Sequence, residues 1–411
     1  MNLVVVGAQW GDEGKGKIVD FLASDADIIC RYSGGANAGH TIVHGDATYK
    51  LHLVPSGVVY DHTTVVLGNG MVIDPEALFS EIAELEAAGV EVADRVLVSD
   101  RAHLVLPSHK TEDQERDRVR PRPLGTTGRG IGVAYAHKAY RTGVRVADIG
   151  WSDHTSVLPQ VDREVLQRYG SRLTAMAVDL AEYMELAGRK RVLLEGAQGT
   201  LLDIDLGTYP YVSSGSSGAA GASNGASIGP RAIDSVLGVC KAYTTRVGNG
   251  PLPSELDADS EGQLEHHIRE TGREYGVTTG RARRVGYLDL VALRYACRSN
   301  GIDHLAMTHL DVYDGLESLK VCVAYETADQ TITTFPSATH LLEEARPVTK
   351  TLPGWTQSTG DARTYDQLPQ AARDYIAFVE RFVGVPISIV SVGYERQATI
   401  VRSDPWSAER D

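Results

Sequence analysis

The chain has 411 residues, of which 42% are hydrophobic and 23% are charged, a composition typical of a globular protein with a sizeable core. Its formal net charge of −14 at pH 7 opposes binding to nucleic-acid backbones and anionic membranes, so small ligands are the favoured partners. Four cysteines lie without C-x-x-C spacing, which indicates reduced thiols and argues against a disulfide framework or a zinc site.

Short apolar runs rich in β-branched residues recur along the chain, and the first lies at its amino terminus. They span residues 3–6, 28–30, 64–67, 96–98, 192–194 and 387–392. Apolar side chains at consecutive positions predict strands that are buried on both faces. No run approaches the roughly 18 residues of a membrane span and no basic leader precedes the first one, so we expect a soluble, cytoplasmic protein.

Helices are predicted between these strands, and two have clear boundaries. One begins with Asp74 as N-cap and Pro75 in the first turn, repeats apolar residues at positions 78, 82 and 85, and ends at Gly89. The other begins near Pro369 and ends at Gly384, with an apolar stripe along Tyr375, Ile376, Val379, Phe382 and Val383. Alternating strands and helices predict an α/β fold, and we expect residues 1–411 to form a single domain.

A glycine-rich loop, residues 7–17, joins the first strand to a helix, a position at which backbone amides can bind phosphate. Gly11, Gly16 and Lys17 fit the P-loop spacing, but Ile18 stands where that motif has a Ser or Thr hydroxyl for magnesium. A carboxylate repels phosphate unless it holds a cation or takes a proton, so we predict that Asp12 is both metal ligand and base. A glycine turn with solvated acidic side chains is the alternative.

A second glycine-rich loop, residues 31–41, follows the next strand and carries Asn37 and His40 among very small residues. A histidine on such a loop can donate to a phosphoryl oxygen and act as a general acid. An inert histidine is the alternative that these residues alone leave open.

Residues 9–17 and 34–41 together resemble the two opening signatures of the adenylosuccinate synthetase family, the IMP:aspartate ligases of purine synthesis. Further stretches are similar to the family's motifs in the same order, at residues 68–75, 125–132, 195–205, 207–211, 245–248, 278–281 and 352–355. The resemblance spans almost the whole chain. It implies a P-loop NTPase-like α/β fold with a large, mainly parallel central sheet flanked by helices and smaller subdomain excursions.

The resemblance implies GTP-dependent ligation of L-aspartate to IMP through a 6-phosphoryl intermediate. Asp12 would take the N1 proton of IMP, His40 would steady the transferring phosphoryl group, and Lys15 would supply positive charge. Gln198, at the carboxyl end of a predicted strand, completes the implied catalytic set, which suits a ligand site in an α/β sheet. Mg²⁺ would be bound by Asp12 and by the carbonyl oxygen of Gly39.

The resemblance also implies three sets of substrate-binding residues. For IMP they are Glu13, Gly14, Asn37, Ala38, Thr127, Arg141, Gln198, Ser213 and Arg281, with Arg141 reaching the phosphate from the partner subunit of a homodimer. The aspartate loop would be Val277, Thr278, Thr279, Gly280, Arg281, Ala282 and Arg283, in which arginine forks suit carboxylates. For GTP they are Gly11, Asp12, Glu13, Gly14, Lys15, Gly16, Gly39, His40, Thr41, Arg283, His309, Leu310, Asp311, Ser391, Val392 and Gly393.

Three positions near the implied base sites depart from the family pattern. His309 replaces the usual lysine beside guanine, Tyr394 replaces a proline, and Ser213 replaces a threonine. Asp311 is kept, and its carboxylate can accept from N1–H and the 2-amino group of guanine. Two alternatives follow: a viral-type relative that joins aspartate to dGMP, some members using ATP, and a GTP-binding regulatory protein without ligase activity.

A low-complexity stretch, residues 213–229, is rich in serine, glycine and alanine. Its composition alone is compatible with a flexible linker, but the neighbouring motifs favour a loop on the substrate side of the protein.

Overall fold

The computed structural model describes residues 1–44, 47–92, 94–276, 280 and 282–407. These residues form two compact units. The first comprises residues 1–5, 19–198 and 213–234, and the second comprises residues 6–18, 199–212 and 235–411 where described. The single-domain organisation expected from the sequence stays a prediction.

The strands are, in chain order, β1 (Asn2–Gly7), β2 (Ile28–Arg31), β3 (His40–His44), β4 (Ala47–Leu51), β5 (Thr64–Leu67), β6 (Val72–Ile73), β7 (Val96–Ser99), β8 (His103–Leu104), β9 (Ala177–Val178), β10 (Val192–Glu195), β11 (Ser235–Lys241), β12 (Thr244–Arg246), β13 (Arg284–Gly286), β14 (Leu288–Asp289), β15 (His304–Thr308), β16 (Leu316–Glu326), β17 (Thr331–Ile332), β18 (Arg346–Trp355), β19 (Ile387–Ser391) and β20 (Thr399–Val401).

The α-helices are α1 (Lys15–Ala23), α2 (Pro75–Ala87), α3 (Pro107–Val119), α4 (Ile131–Tyr140), α5 (Ser152–Thr155), α6 (Gln160–Ala175), α7 (Leu180–Ala187), α8 (Ala219–Gly225), α9 (Ala258–Thr271), α10 (Leu290–Asn300), α11 (Thr339–Glu344) and α12 (Gln370–Val383).

A large sheet contains every strand predicted from the sequence. Its order within the described residues is β20-β19-β15-β11-β1-β10-β2-β5-β7-β9. Strands β19 and β20 pair in antiparallel orientation. The pairs β1–β10, β10–β2, β2–β5, β5–β7, β7–β9, β11–β15 and β15–β19 are parallel, so the expected mainly parallel α/β sheet is confirmed. Strands β2, β10, β15 and β19 are buried at every residue, as expected of mainly apolar strands inside a parallel sheet.

Both helices with predicted boundaries are confirmed. Asp74 caps α2 by accepting from the amides of Glu76 and Ala77, and the apolar residues at positions 78, 82 and 85 are buried. Helix α12 ends at Gly384, whose φ of 76° is the left-handed conformation that glycine adopts without strain. Phe382 is only half-buried, whereas the remainder of the predicted stripe lies in the core.

The low-complexity stretch is folded, so the linker interpretation is wrong. It contains α8, and several of its small residues are buried, among them Gly225. A Cβ on Gly225 would lie 2.1 Å from the carbonyl oxygen of Tyr32, and a Cβ on Gly68 would lie 2.2 Å from that of Gly225. The composition is therefore explained by close backbone packing, which leaves no room for side chains.

Candidate active site

The first glycine loop lies in the second unit, between the end of β1 and the start of α1. Gly11, Asp12 and Gly14 all have positive φ, at 82°, 56° and 85°. This turn exposes the Asp12 side chain and buries that of Glu13. The amides at the start of α1 and the helix dipole favour an anion at this position, as the sequence predicted.

The carboxylate of Glu13 holds the loop together from inside. One oxygen accepts from the amides of Gln9 and Gly11, at 3.1 and 2.9 Å, and the other is 2.5 Å from the ammonium group of Lys15. Any contact of Glu13 with a nucleotide would therefore come from its main chain. The charge of Lys15 is paired within the protein, and its predicted contact with phosphates stays a prediction.

Lys17, the residue at the P-loop lysine position, is turned away from the loop. Its ammonium group donates to Ser391 Oγ and to the carbonyl of Gly393, both at 2.7 Å, and to that of Ala398 at 3.0 Å. Burial lowers the pKa of Lys17 to about 8, although Asp311 opposes this shift. Lys17 thus connects α1 to the 391–393 loop, which the resemblance assigns to GTP binding.

Asp311 lies after β15, in a short 3-10 turn that follows His309. Its Oδ1 atom is buried and has no hydrogen-bond partner among the described residues. Burial raises the pKa of Asp311 to about 6, and Asp314 adds to this shift. A buried acceptor without a partner is costly, and a bound base could satisfy it.

His309 is packed between two tyrosines, Tyr243 and Tyr394, with ring centroids 5.9 Å from each. Burial lowers the pKa of His309 to about 3, so its ring is neutral at pH 7. The single hydroxyl proton of Tyr243 goes to Glu274 at 2.6 Å, which leaves the tyrosine oxygen to accept from His309 Nδ1 at 3.3 Å. The proton then resides on Nδ1 and the lone pair on Nε2.

His40 lies at the start of β3 in the first unit and is held by a buried carboxylate. Its Nδ1 is 2.6 Å from Glu195 Oε1 and 3.0 Å from Ser56 Oγ. The Ser56 amide and hydroxyl also donate to Glu195, at 2.8 and 2.7 Å. Burial would raise the pKa of Glu195, but His40 and Arg31 outweigh burial and lower it. The ionised carboxylate orients the imidazole so that Nε2 is the nitrogen left for a ligand.

Three polar residues of the first unit that the resemblance assigns to IMP carry buried atoms without partners among the described residues. The atoms are Asn37 Oδ1, Gln198 Oε1 and Ser213 Oγ. Gln198 has a φ of 56°, an uncommon value for a residue other than glycine, directly after β10. A Cβ on Gly34 would lie 2.7 Å from the Cβ of Ala197, so glycine is needed for this close approach beside Gln198.

The other predicted residues differ in exposure. Thr127 and Arg141 are exposed, and Arg141 caps α4 with a φ of 65°. Ala38 is buried, Gly39 is half-buried and Thr41 is exposed beside His40. Leu310 and Val392 are buried in the core, while Gly280 and Ala282 are exposed. The predicted ligands Val277, Thr278, Thr279 and Arg281 lie outside the described residues.

Sequence reasoning missed the buried carboxylates that hold these groups, Glu195 behind His40 and Glu274 behind Arg283. Glu195 ends an otherwise apolar buried strand, which is a signal that a charge needs a partner. No comparable signal marks Glu274, because it follows a polar helix.

The remaining features of the described residues concern metal binding, membrane spans and cavities. Among the residues that the structure describes, no group of three or more His, Cys, Asp or Glu side chains is placed to hold a metal ion. Within the same residues, no helix has both the length and the apolar character needed to cross a membrane. A cavity of about 900 Å³ lined by residues of α6 and the segment before it contains none of the predicted site residues.

The sheet, the strand-to-helix glycine loop and the unpartnered polar atoms define a nucleotide-binding α/β protein. The protein-family profile of adenylosuccinate synthetase matches residues 4–158 and 157–400. The chain belongs to the adenylosuccinate synthetase family, and it is a ligase that forms a carbon–nitrogen bond.

Adenylosuccinate synthetases from other organisms are similar to this chain along nearly its full length. Adenylosuccinate synthetase of Synechococcus elongatus is 48% identical over 98% of this chain and 96% of its own, and that of Gloeobacter violaceus is 46% identical over the same shares. The fully ligated adenylosuccinate synthetase of Plasmodium falciparum is 37% identical, with a TM-score of 0.90 over 98% of this chain and 99% of its own.

The succinoaminodeoxyadenylate synthetase of cyanophage S-2L, bound to dGMP and dATP, shares the fold at 19% identity. Its TM-score is 0.66 over 98% of this chain and 96% of its own. The sequence similarity favours the adenylosuccinate synthetase interpretation over the viral-type alternative.

Proposed function

We propose that this chain ligates L-aspartate to IMP at the expense of GTP, and releases adenylosuccinate, GDP and phosphate. The observation that carries the proposal is a set of buried polar atoms on four predicted ligand residues, which have no hydrogen-bond partners among the residues described. These atoms are Asn37 Oδ1, Gln198 Oε1, Ser213 Oγ and Asp311 Oδ1. Each costs free energy unless a ligand pairs with it, so their coincidence with the predicted base contacts supports purine binding.

Asp12 is the proposed base. It takes the proton from N1 of IMP, O6 attacks the γ-phosphorus, and the bond from that phosphorus to the β–γ bridging oxygen breaks to give GDP and 6-phosphoryl-IMP. The amine of aspartate then bonds to C6, phosphate leaves with the O6 atom, and the amine loses a proton. The exposure of the Asp12 carboxylate, at 37% of its side chain, supports its access to a substrate proton.

His40 is proposed to donate from Nε2 to the transferring phosphoryl group. The buried Glu195, 2.6 Å from Nδ1, orients the imidazole while negative charge develops on the phosphoryl oxygens. Phosphoryl transfer depends mainly on positioning and charge neutralisation, and the Ser56–Glu195 hydrogen bonds supply the positioning.

Mg²⁺ fits the donors that the sequence assigned to it. Asp12 offers an exposed carboxylate, Gly39 offers a carbonyl oxygen, and magnesium commonly binds one or two protein oxygens together with substrate phosphates and water. Bound there, the ion would neutralise charge on the triphosphate.

Guanine preference is proposed to rest on Asp311, because His309 presents an acceptor rather than the lysine donor usual in the family. An Nε2 lone pair suits an exocyclic amino group, whereas the Asp311 carboxylate suits the N1–H and 2-amino groups of guanine. The rates with GTP and with ATP should therefore be compared directly for this chain.

The proposed reaction is tested by phosphate release with IMP, aspartate and GTP, with each omitted in turn and with dGMP or ATP substituted. We expect release to require all three and to be fastest with IMP and GTP. Turnover with dGMP in place of IMP would support the viral-type alternative. Phosphate release that requires neither IMP nor aspartate would support a GTP-binding protein without ligase activity.

Asp12→Asn tests the base. We expect the variant to fold and bind nucleotide but to lose about 10³-fold or more in kcat, because the amide cannot accept the proton. Asp94→Asn is the matched control, since Asp94 is also exposed and has a φ of 60°. Near-normal turnover of Asp12→Asn would contradict the assignment.

A further inference from the structure

Glu274 is a fully buried carboxylate that lies three residues after the end of α9. Its Oε1 accepts from the ammonium group of Lys241 and from the hydroxyl of Tyr243, both at 2.6 Å. Its Oε2 accepts from Arg283 at 2.7 Å, and its main-chain oxygen accepts from the Arg283 amide at 2.8 Å. Glu274 therefore holds both the side chain and the backbone of Arg283.

The charge on Glu274 is stable despite its burial. Burial alone would raise its pKa, but the charges of Lys241 and Arg283 outweigh burial and lower the pKa to about 2. The carboxylate thus pairs with two cations, Lys241 and Arg283. A buried charge held by such a network is expensive to displace, so the position of Arg283 is well defined.

The opposite edge of Arg283 faces Asp12. Its Nε is 2.9 Å from Asp12 Oδ2. This contact is an ion pair without hydrogen-bond alignment, since Arg283 Nε has no hydrogen-bond partner within the part of the chain that the structure describes. Asp12 is also far more exposed than Glu274, at 37% against 0% of the side chain. The contact with Asp12 is therefore the more easily exchanged of the two.

We propose that Glu274 is a positioning residue that aims Arg283 at the bound triphosphate and keeps it there while Asp12 is released to act as base. A triphosphate anion competes for the guanidinium edge that faces Asp12, whereas the buried Glu274 contact persists. This inference rests on the proposed function. It adds a role for Glu274 and Lys241 that neither residue had in the sequence-based site.

Glu274→Gln combined with Lys241→Met removes the anion and its balancing cation together. We expect kcat/KM for GTP to fall about 100-fold, because Arg283 loses its fixed position, while the KM for IMP stays within about twofold. Glu255→Gln is the matched control, since Glu255 pairs with the neighbouring Arg284 in a partly exposed ion pair. We expect that control to retain its activity.

The wild type and Glu255→Gln first establish the ligase reaction, so its failure is seen separately from failure of the inference. If both are active and the double variant has a normal KM and kcat with GTP, the role of Glu274 is refuted. A uniform loss of stability, with an unchanged KM for GTP, would also refute it. If the double variant does not fold, Glu274→Asp is the substitute, because it keeps the charge but shortens the side chain by one methylene. We expect this variant to show the same GTP-specific loss. Normal kinetics with GTP would refute the role of Glu274.

Discussion

A buried carboxylate contacts each of two side chains in the proposed chemistry. Glu195 orients His40 and Glu274 holds Arg283, and both carboxylates are inaccessible to solvent. Such a group is tolerated only when it is paired and hydrogen-bonded, so each pair fixes the position of its outer member. The reactive groups predicted from the sequence thus depend on inner groups that anchor them.

The raised pKa of Asp311 predicts a pH-dependent affinity for GTP. Only the ionised carboxylate accepts from guanine, so affinity should be full above pH 7 and should fall as the pH drops through about 6. The loss should approach roughly tenfold per pH unit below that value. Calorimetric titration of GTP from pH 5 to 8 measures it.

Asp311→Asn should bind GTP weakly at every pH and lack this component. The phosphate groups of GTP titrate in the experiments with both the wild type and the variant. The difference between the two pH profiles of GTP affinity therefore isolates the contribution of Asp311. Parallel profiles would contradict the assignment.

At the scale of elements, the catalytic loops are placed by strands and supported by close backbone contacts. The β1–α1 loop is closed by Glu13, and the 391–393 loop is tied to α1 by Lys17. Helix α8 packs so closely on Tyr32 and Gly68 that Gly225 has no room for a Cβ. Sequence complexity alone could not distinguish this packing from a flexible linker.

Gly225→Ala should destabilise the protein by about 2 kcal/mol or more, although alanine normally stabilises a helix relative to glycine. The reason is that its Cβ would lie 2.1 Å from the Tyr32 carbonyl oxygen, and a backbone shift would be required. Gly229→Ala is the control, because nothing lies within 4 Å of its Cβ position and its φ is −65°. Urea unfolding measures both, and equal stabilities would contradict the packing argument.

At the scale of the whole molecule, the proposed homodimer assigns Arg141 to the active site of the partner subunit. Arg141 is exposed at the end of α4 in a left-handed conformation, which suits a side chain that acts outside its own subunit. Because the chain has a net charge of −14, binding of a phosphate group requires a cationic side chain close to it.

Heterodimers that carry Arg141→Leu in one subunit and Asp12→Asn in the other test this arrangement. If Arg141 acts across the interface, one of two sites has both residues, and purified heterodimers should show about half of the wild-type activity. Each parent homodimer should be nearly inactive. Heterodimers as inactive as the parents would show that Arg141 serves its own subunit.

The sequence by itself determined six strands of the large sheet, the boundaries of α2 and α12 and the mainly parallel sheet, because apolar runs and capping residues are local signals. It also determined the family, because long motifs recur in a fixed order. Only the tertiary structure decided that Lys17 binds the 391–393 loop, that Glu274 joins Lys241 to Arg283, and that residues 213–229 are packed. These contacts join residues far apart in the chain, and their free energy depends on burial and distance, which no local pattern encodes.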